Sequence, residues 1–248
     1  MRTSKLLILV LFILTLTACG KNNEGLVSPP VQAPSGTGSE ASIKIVEDFG
    51  HARLKSPIDF NSNGVDDYAD FLAGAKLDAK NHPRYDGAYV QGGYPSDDIG
   101  VCTDVIWRAF KMAGYSLKDM VDKDIAAHTS AYPNASKPDP NIDFRRVKNL
   151  HVFFKRYGQE LTTDLKQSEA WMPGDIVIFK DDYHIGMISD FRADDGTPYV
   201  IHNMGQKERD ENFMGGIDIR DLFGKRTPIA HYRFDASKVD KAVLVEWK

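Results

Sequence analysis

One cysteine and two histidines stand where side-chain chemistry could take place. Cys102 begins a segment with helical spacing, whereas His184 and His202 accompany two short apolar runs. The free N–H groups and the dipole of a helix N-terminus favour a thiolate, and a nearby histidine can hold and return a proton. The pattern predicts that Cys102 is a nucleophile. The alternative is a structural cysteine that packs as a small apolar side chain.

Hydrophobic periodicity predicts the elements that carry these residues. Apolar side chains recur at helical spacing over residues 67–80 and 102–113, and Gly114 ends the second segment. Short β-branched runs predict antiparallel strands at residues 175–179, 184–191, 199–203 and 229–234. Helices in the first half and strands in the second indicate an α+β fold.

The order of these motifs resembles that of the NlpC-type cell-wall peptidases, which have a papain-like fold. The shared features are a cysteine at a helix start, Gly-Asp before a strand, His-Ile-Gly on the next strand and a polar residue on the following one. More closely, the chain resembles a bacterial family of exported proteins with no assigned function, over most of residues 80–235. The runs that carry this second resemblance are 100–104, 131–133, 141–147, 174–177, 184–186 and 200–205.

The resemblance implies a helix that bears the nucleophile and packs on an antiparallel sheet. It also implies that Cys102 attacks a carbonyl, that His184 transfers the proton, and that His202 orients His184. A hairpin that turns at residues 195–196 would place His202 opposite Ile188, one to two residue pairs too far along. The alternatives for the third residue are therefore Asn203, Gln206 and Asp190.

Other details of the site stay open. The backbone N–H of Cys102 and a second donor, Tyr85 or Tyr94, would bind the oxyanion. Asp104 stands where the peptidases usually have glycine, and it either lines the site or favours the first turn of the helix. The group of Asp143, Arg145 and Arg146 is either close to the substrate or an ion-pair cluster.

A zinc site is a weaker interpretation of the same residues. It would use Cys102, His184, His202 and His231, but their spacing matches no known ligand pattern. The remaining histidines carry no spacing signal and are expected at the surface or in loops; they are His51, His82, His128 and His151. His128 precedes the run at 131–133 that carries the family resemblance, so a role near the substrate is the alternative for it.

Residues 59–70 follow the order of an EF-hand calcium loop. Oxygen ligands would come from Asp59, Asn61, Asn63, the Val65 carbonyl, Asp67 and Asp70, with Gly64 at the sixth position. The cation would fasten the N-terminal segment to the domain. The alternative is an Asx-rich turn that caps the following helix.

The N-terminus predicts export. Arg2 and Lys5 precede a short apolar run, and residues 16–19 resemble a bacterial lipobox. We therefore expect a lipoprotein signal peptide at 1–18, lipidation of Cys19, and a flexible tether at 19–42 that is rich in Pro, Gly and Ser. The lipid would anchor the protein to the outer face of the cytoplasmic membrane or to the outer membrane. A calcium-loop and helix segment (43–80) and the hydrolase domain (81–248) follow.

Composition narrows the function. The 248 residues carry a formal charge of −4 and two cysteines, which argues against a nucleic-acid binder and against a disulfide framework. We expect a cell-envelope cysteine peptidase or amidase that cleaves an amide bond in peptidoglycan or another envelope peptide. An acyl transferase or thioesterase would use the same residues. The other classes are a non-catalytic lipoprotein that binds cell-wall peptide or a protein partner, and a calcium-dependent adhesion protein.

Overall fold

The computed structural model describes residues 53–215 and 226–248. Within these ranges the chain forms four α-helices. Their bounds are α1 (Asp67–Asn81), α2 (Cys102–Met112), α3 (Leu117–Ala127) and α4 (Val147–Tyr157). The two helices predicted from periodicity, at 67–80 and 102–113, are confirmed to within one residue at their ends. The expected signal peptide, Cys19 and tether lie outside the described residues.

Local signals explain where the two predicted helices begin and end. The side chain of Asp66 caps α1 by accepting from the backbone N–H of Ala69, and α1 ends at His82 in the left-handed conformation. Helix α2 ends before Gly114, whose φ of 86° requires the conformational freedom of glycine.

The strands form two sheets within the described residues. A two-stranded parallel sheet joins β1 (Arg84–Tyr85) to β2 (Ile99–Gly100). The larger sheet has six antiparallel strands in the order β3-β8-β4-β5-β6-β7. Its strands are β3 (Gln159–Glu160), β4 (Ile176–Phe179), β5 (Ile185–Arg192), β6 (Pro198–Ile201), β7 (Asp210–Glu211) and β8 (Pro228–Arg233).

The sheet confirms the four predicted strands with small differences at their ends. His184 lies just before β5, and His202 lies just after β6. The edge strands β3 and β7 were not predicted, because each contains only two polar residues and therefore shows no hydrophobic alternation.

The main core lies between the helices and one face of the sheet. Phe110 of α2 is at its centre, with ring centroids 4.6 Å from Phe71, 5.7 Å from Phe154 and 5.1 Å from Phe234. Strand β4 is buried on both faces. Ile176 and Ile178 join this core, whereas alternate residues join a smaller cluster on the opposite face. The fold is therefore α+β, as the order of elements predicted.

Helix α1 belongs to the main core. Phe71, Leu72 and Ala75 are buried in it beside α2. Gly74 makes the close approach possible, because a Cβ there would lie 2.7 Å from the Cα of Ala109. Residues of the expected calcium-loop and helix segment thus pack in the same core as the rest of the domain. Within the described residues, none of the helices has the length and hydropathy needed to cross a membrane.

Candidate active site

Cys102 is the first residue of α2, and only 7% of its surface is exposed. Burial raises the pKa of Cys102 to about 11, against a smaller opposing effect of the backbone N–H groups of Ile185 and Thr103. The thiolate expected at a helix start is thus replaced by a neutral thiol in this conformation. The cost of desolvating a charged sulfur exceeds the stabilisation that the helix N-terminus supplies.

Asp104 does not line the site. Its side chain is fully buried and accepts two hydrogen bonds from Arg145, at 2.8 Å to Nε and 2.9 Å to Nη2. It also accepts from the indole N–H of Trp107 at 2.7 Å and the backbone N–H of Val101 at 2.7 Å. The hydroxyl of Thr103 donates to the Arg145 carbonyl at 3.1 Å. The carboxylate and the guanidinium therefore fasten the start of α2, and Arg145 belongs to an ion pair.

The other two charged residues of that run form a separate pair. Arg146 Nη1 lies 2.8 Å from the buried Asp143 carboxylate, and the Arg146 side chain is 41% exposed. The ion-pair interpretation of Asp143, Arg145 and Arg146 is therefore the one that matches the contacts.

The start of β5 connects His184 to the residue whose backbone faces the thiol. His184 directly precedes Ile185, whose N–H faces the sulfur of Cys102. A turn with positive φ at Asp181 and Asp182 leads into it, and Asp182 Oδ1 lies 2.5 Å from Nδ1 of His151 on α4. The ring of His184 is buried, with 3% of the residue exposed. The ring of His184 lies 5.9 Å from that of Phe179 and 5.5 Å from that of Phe213, and both phenylalanines belong to the smaller cluster.

The register of the β5–β6 hairpin differs from the expected one. Arg192 pairs with Pro198 as a turn at residues 195–196 requires, but an irregularity follows, and Met187 then pairs with Ile201. This shift of two residues places His202 beyond Ile201, at the level of Gly186, and not opposite Ile188. The expected position opposite Ile188 was therefore wrong, and the offset from His184 falls from four residues to two, because a bulge was absent from the sequence-based register.

Gly186 permits the close approach of the two strands at this level. A Cβ on Gly186 would lie 2.4 Å from Cγ1 of Val200 and 3.3 Å from Cβ of His202. With no side chain between them, the rings of His184 and His202 meet, and Nε2 of His184 lies 2.9 Å from Nδ1 of His202. The structure thus brings together the two histidines that the sequence singled out.

A fourth residue, Glu211, extends this chain of contacts. Its Oε1 atom lies 3.1 Å from Nε2 of His202. The sequence analysis missed Glu211 because it lies in the two-residue strand β7, which gives no periodic signal. Within the described residues, the side-chain contacts therefore run from His184 to His202 to Glu211, and the thiol of Cys102 faces the backbone N–H of the residue next to His184.

Two of the alternatives to His202 have other partners. Asn203 is buried, and its Nδ2 donates to the carbonyls of Pro83 at 3.2 Å and Gly100 at 3.1 Å. It thereby joins the end of β6 to the β1–β2 pair. Asp190 forms an ion pair with Lys76.

Gln206, the remaining alternative, lies against His202. Its amide nitrogen is 3.2 Å from Nδ1 and 3.3 Å from Nε2 of the ring. Nearly equal distances to both nitrogens place the amide over the face of the ring. A hydrogen bond to a ring nitrogen would instead require the amide to lie in the ring plane. The same nitrogen donates to the His202 carbonyl at 3.0 Å. Gln206 therefore packs on the ring.

Both histidines favour the neutral form. Burial and the neighbouring His202 ring hold the pKa of His184 well below its usual value of 6.5. Burial also lowers the pKa of His202, although the hydrogen bond that His202 donates to Glu211 opposes this effect. At neutral pH the site therefore contains a thiol and neutral imidazoles, which suits transfer of a proton during attack more than a preformed ion pair.

Tyr85, but not Tyr94, lies near the thiol. The phenol of Tyr85 is close enough to Cys102 and Tyr183 that their charges would raise its pKa, in addition to the larger effect of burial. The ring of Tyr94 packs 4.9 Å from those of Trp107 and Trp247, and its hydroxyl contacts Ser116 beyond the far end of α2. The suggestion of Tyr94 as an oxyanion donor is therefore wrong.

His231 lies in a different cluster from the two histidines of the site. It is buried, stacks on Trp171 at 3.9 Å, and contacts Asp175 at 2.9 Å and the Thr162 carbonyl at 2.8 Å. In the part of the chain that the structure describes, no group of three or more His, Cys, Asp or Glu side chains could hold a metal ion. The zinc interpretation of Cys102, His184, His202 and His231 is therefore not supported.

Two of the other histidines lie at the surface, as expected, and a third does not. His82 and His128 are exposed, and His151 is partly buried at the Asp182 turn. His51 lies outside the described residues.

The predicted calcium loop folds around hydrogen bonds within the protein. Asp59 accepts from the backbone N–H groups of Asn63 and Gly64, at 3.0 and 2.8 Å. The amide nitrogens of Asn61 and Asn63 both lie 3.0 Å from Oδ2 of Asp70. Burial raises the pKa of Asp70 to about 6. In this arrangement the two asparagines present donors to Asp70, so their amides would have to turn before their oxygens could bind calcium.

Asp67 has protein partners as well. It accepts from the Tyr115 hydroxyl at 2.6 Å and from the backbone N–H of Phe60 at 2.9 Å. These contacts fit the Asx-rich turn that was the alternative interpretation, and calcium binding at Asp59, Asn61, Asn63, Val65, Asp67 and Asp70 stays a prediction.

Comparison with known proteins places the chain in a family. Residues 72–234 match the family model described as a domain of unknown function, DUF1287. The chain is 36% identical over 212 residues to the uncharacterized protein YijF of Escherichia coli strain K12. The aligned region covers 79% of this chain and 97% of the relative. No solved structure matches the chain. The matched region contains Cys102, His184, His202 and Glu211, and the chain belongs to the DUF1287 family.

Proposed function

We propose that this protein is a cysteine peptidase or amidase of the cell envelope, with a papain-like domain of the NlpC type. One observation carries the proposal: His184, adjacent to the residue whose N–H faces the Cys102 thiol, hydrogen-bonds His202 at 2.9 Å. A nucleophile, a base and a residue that orients the base are the three parts that acyl transfer by cysteine requires.

The fold supports the papain-like assignment. The cysteine begins a helix that packs in the main core against strand β5 of an antiparallel sheet, and the base lies at the start of that strand. This is the arrangement that the NlpC-type resemblance implies. The peptidoglycan substrate is proposed from the N-terminal export and lipidation signals together with this resemblance.

The proposed reaction proceeds in two acyl transfers. Nδ1 of His184 takes the proton of Cys102 as the sulfur bonds to the carbonyl carbon of an amide. The tetrahedral intermediate then loses the amine, which receives the proton from His184, and a thioester remains on Cys102. Water attacks the thioester through the same base, which releases the carboxylic acid and returns the proton to the sulfur. The backbone N–H of Cys102 binds the oxyanion, and Tyr85 is the proposed second donor.

The pKa directions of the two groups support the role of a general base for His184. The pKa of Cys102 is raised and that of His184 is lowered, so the ion pair is not the resting state. The proton is instead transferred as the new S–C bond forms.

A second function is favoured by the burial of the thiol. In a non-catalytic lipoprotein that binds cell-wall peptide or a protein partner, Cys102 would serve only as packing. Its exposed fraction of 7% and its raised pKa are what a structural cysteine would show.

Digestion of purified peptidoglycan by the detergent-solubilised full chain separates the two functions. The hydrolase predicts new fragments, identified by mass spectrometry, that Cys102→Ala and His184→Ala abolish and the surface control His128→Ala preserves. Fragments of equal yield from Cys102→Ala would contradict the proposal. Equal binding of peptidoglycan by the wild-type protein and by Cys102→Ala, without cleavage by either, would support the non-catalytic function.

A further inference from the structure

His202 joins the buried site to Glu211, a charged residue near the surface. His202 is fully buried, and its Nε2 lies 3.1 Å from Oε1 of Glu211, whose side chain is 32% exposed. Nothing in the sequence pattern or in the family description assigns a role to Glu211. Its contact is with His202 and not with the thiol, so any role in the proposed reaction must act through the histidine.

The hydrogen-bond chain allows only one direction for its protons. A carboxylate only accepts, so the proton of neutral His202 must be on Nε2. Its Nδ1 is then a lone pair, which accepts from Nε2–H of His184 across the 2.9 Å contact. Neutral His184 in turn keeps its lone pair on Nδ1, the nitrogen that the proposed reaction uses as base.

We propose that Glu211 is a positioning residue that sets the tautomers of both His202 and His184. This role rests on the proposed function, whereas the tautomers themselves do not. No proton moves to Glu211: in the reaction the proton passes from Sγ of Cys102 to Nδ1 of His184.

Strand β7 holds Glu211 in place. Its neighbour Asp210 pairs with Ile201 of β6, binds Lys76 of α1 at 2.6 Å and accepts from the Ser189 hydroxyl at 2.9 Å. The backbone N–H of His202 donates to the Arg209 carbonyl at 2.9 Å. Asp210 thus fastens the strand, and the adjacent side chain is left to contact His202.

The charged groups around His202 support the same role for Glu211. Two arginines, Arg209 and Arg226, are close enough to His202 to disfavour a positive ring, and Glu211 is the negative group that opposes them. When His184 accepts the thiol proton, a positive charge appears inside the protein, hydrogen-bonded to His202. A carboxylate at the other end of the chain stabilises that charge.

Two-bond ¹H–¹⁵N NMR of ¹⁵N-histidine-labelled full chain in detergent tests the tautomers directly. The signals are assigned by their loss in His202→Asn and His184→Asn. We expect the proton on Nε2 in both residues of the wild-type protein at neutral pH. A proton on Nδ1 of His202 would overturn the proposal, and this outcome needs no variant of Glu211 to fold.

Substitutions separate positioning from a structural role. Glu211→Ala removes the acceptor and should leave His202 in mixed tautomers, whereas Glu211→Gln keeps an amide oxygen and should restore the Nε2–H form. The control Glu208→Ala removes a carboxylate from the same segment, where Glu208 is 72% exposed. Unchanged tautomers in a folded Glu211→Ala protein would overturn the proposal.

Hydrolysis of peptidoglycan distinguishes this proposal from the function on which it rests. In an active protein, Glu211→Ala should lower the rate of fragment release about tenfold or more, with partial rescue by Glu211→Gln. Wild-type tautomers as expected, without any hydrolysis, would support the hydrogen-bond chain and contradict the hydrolase. Hydrolysis at the wild-type rate by Glu211→Ala would support the hydrolase and overturn the role of Glu211.

Discussion

His184 and His202 are hydrogen-bonded through Nε2 and Nδ1 at 2.9 Å, although they are 18 residues apart in the chain and lie outside the paired parts of their strands. The contact depends on a two-residue shift in the β5–β6 register and on the missing side chain at Gly186. An ordinary hairpin of the same sequence length would hold the two rings apart. The geometry of the strands, and not the spacing of the residues, thus creates the pair.

Gly186→Ala should disrupt this pair and destabilise the domain. The added Cβ would lie 2.4 Å from Cγ1 of Val200 and 3.3 Å from Cβ of His202, so β6 must move away. Overpacking of this kind costs about 1 to 3 kcal/mol in the free energy of unfolding, which denaturant titration measures. The control is Gly87→Ala, where the nearest atom would lie 3.7 Å away, in ordinary contact. Equal stabilities of the two variants would contradict the close approach.

The Cys102 thiol should remain neutral at physiological pH. Burial raises its pKa to about 11, so thiolate absorbance near 240 nm, taken as the difference from Cys102→Ala, should appear only as the pH approaches that value. The folded chain keeps this proton more tightly than the unfolded chain, whose cysteine titrates near its usual value of 9.0. Stability should therefore decline as the pH rises above that value. A thiolate signal already present at pH 7 would indicate an ion pair with His184 instead.

Acid should destabilise the protein partly through the two histidines. Burial keeps the rings of His184 and His202 neutral, so below pH 6.5 the unfolded chain binds more protons than the folded one. Stability is then lost as the pH falls below 6.5, by at most about 1.4 kcal/mol per pH unit for each histidine. Asp70, with its pKa raised to about 6, acts in the opposite direction.

The comparison of wild type with one variant isolates the contribution of His184 to this pH dependence. His184→Asn should reduce the loss of unfolding free energy between pH 6.5 and 5. Identical slopes for wild type and His184→Asn would show that this histidine is not kept neutral by the fold.

Removal of the Arg145 charge should unfold the start of α2. Arg145→Met leaves the buried Asp104 carboxylate without its bidentate partner, and an uncompensated buried charge costs about 3 to 5 kcal/mol. Arg146→Met is the matched control, because Arg146 is 41% exposed and its ion pair with Asp143 is partly screened by solvent. Thermal unfolding compares the two; a smaller loss for Arg145→Met than for Arg146→Met would refute the role of the buried pair.

Calcium should stabilise the protein through the loop at residues 59–70. Binding to the folded state alone raises the free energy of unfolding by about 2.7 kcal/mol at a calcium concentration 100 times the Kd. The unfolding temperature should therefore rise with calcium but not with magnesium, and Asp70→Ala should abolish the rise. Asp122→Ala, at another carboxylate whose pKa burial raises to about 6, serves as the control. An unfolding temperature unaffected by millimolar calcium would favour the Asx-rich turn.

The sequence by itself determined the order of elements and the residues of interest. Helices at 67–80 and 102–113 and the four longer strands follow from local periodicity, which depends only on residues close together in the chain. Cys102, His184 and His202 were identified from residue type and from position at element ends. These features depend on short stretches of chain, so they can be read without knowledge of the packing.

Only the tertiary structure decided how those residues behave. The bulge between Ile188 and Arg192 sets the register of His202, and packing between distant segments buries the thiol and raises its pKa. Glu211 meets His202 because β7 pairs with β6, and Asp104 meets Arg145 across 41 residues of chain. Desolvation and contacts between segments far apart in sequence are properties of the packed chain as a whole, and therefore no local pattern reveals them.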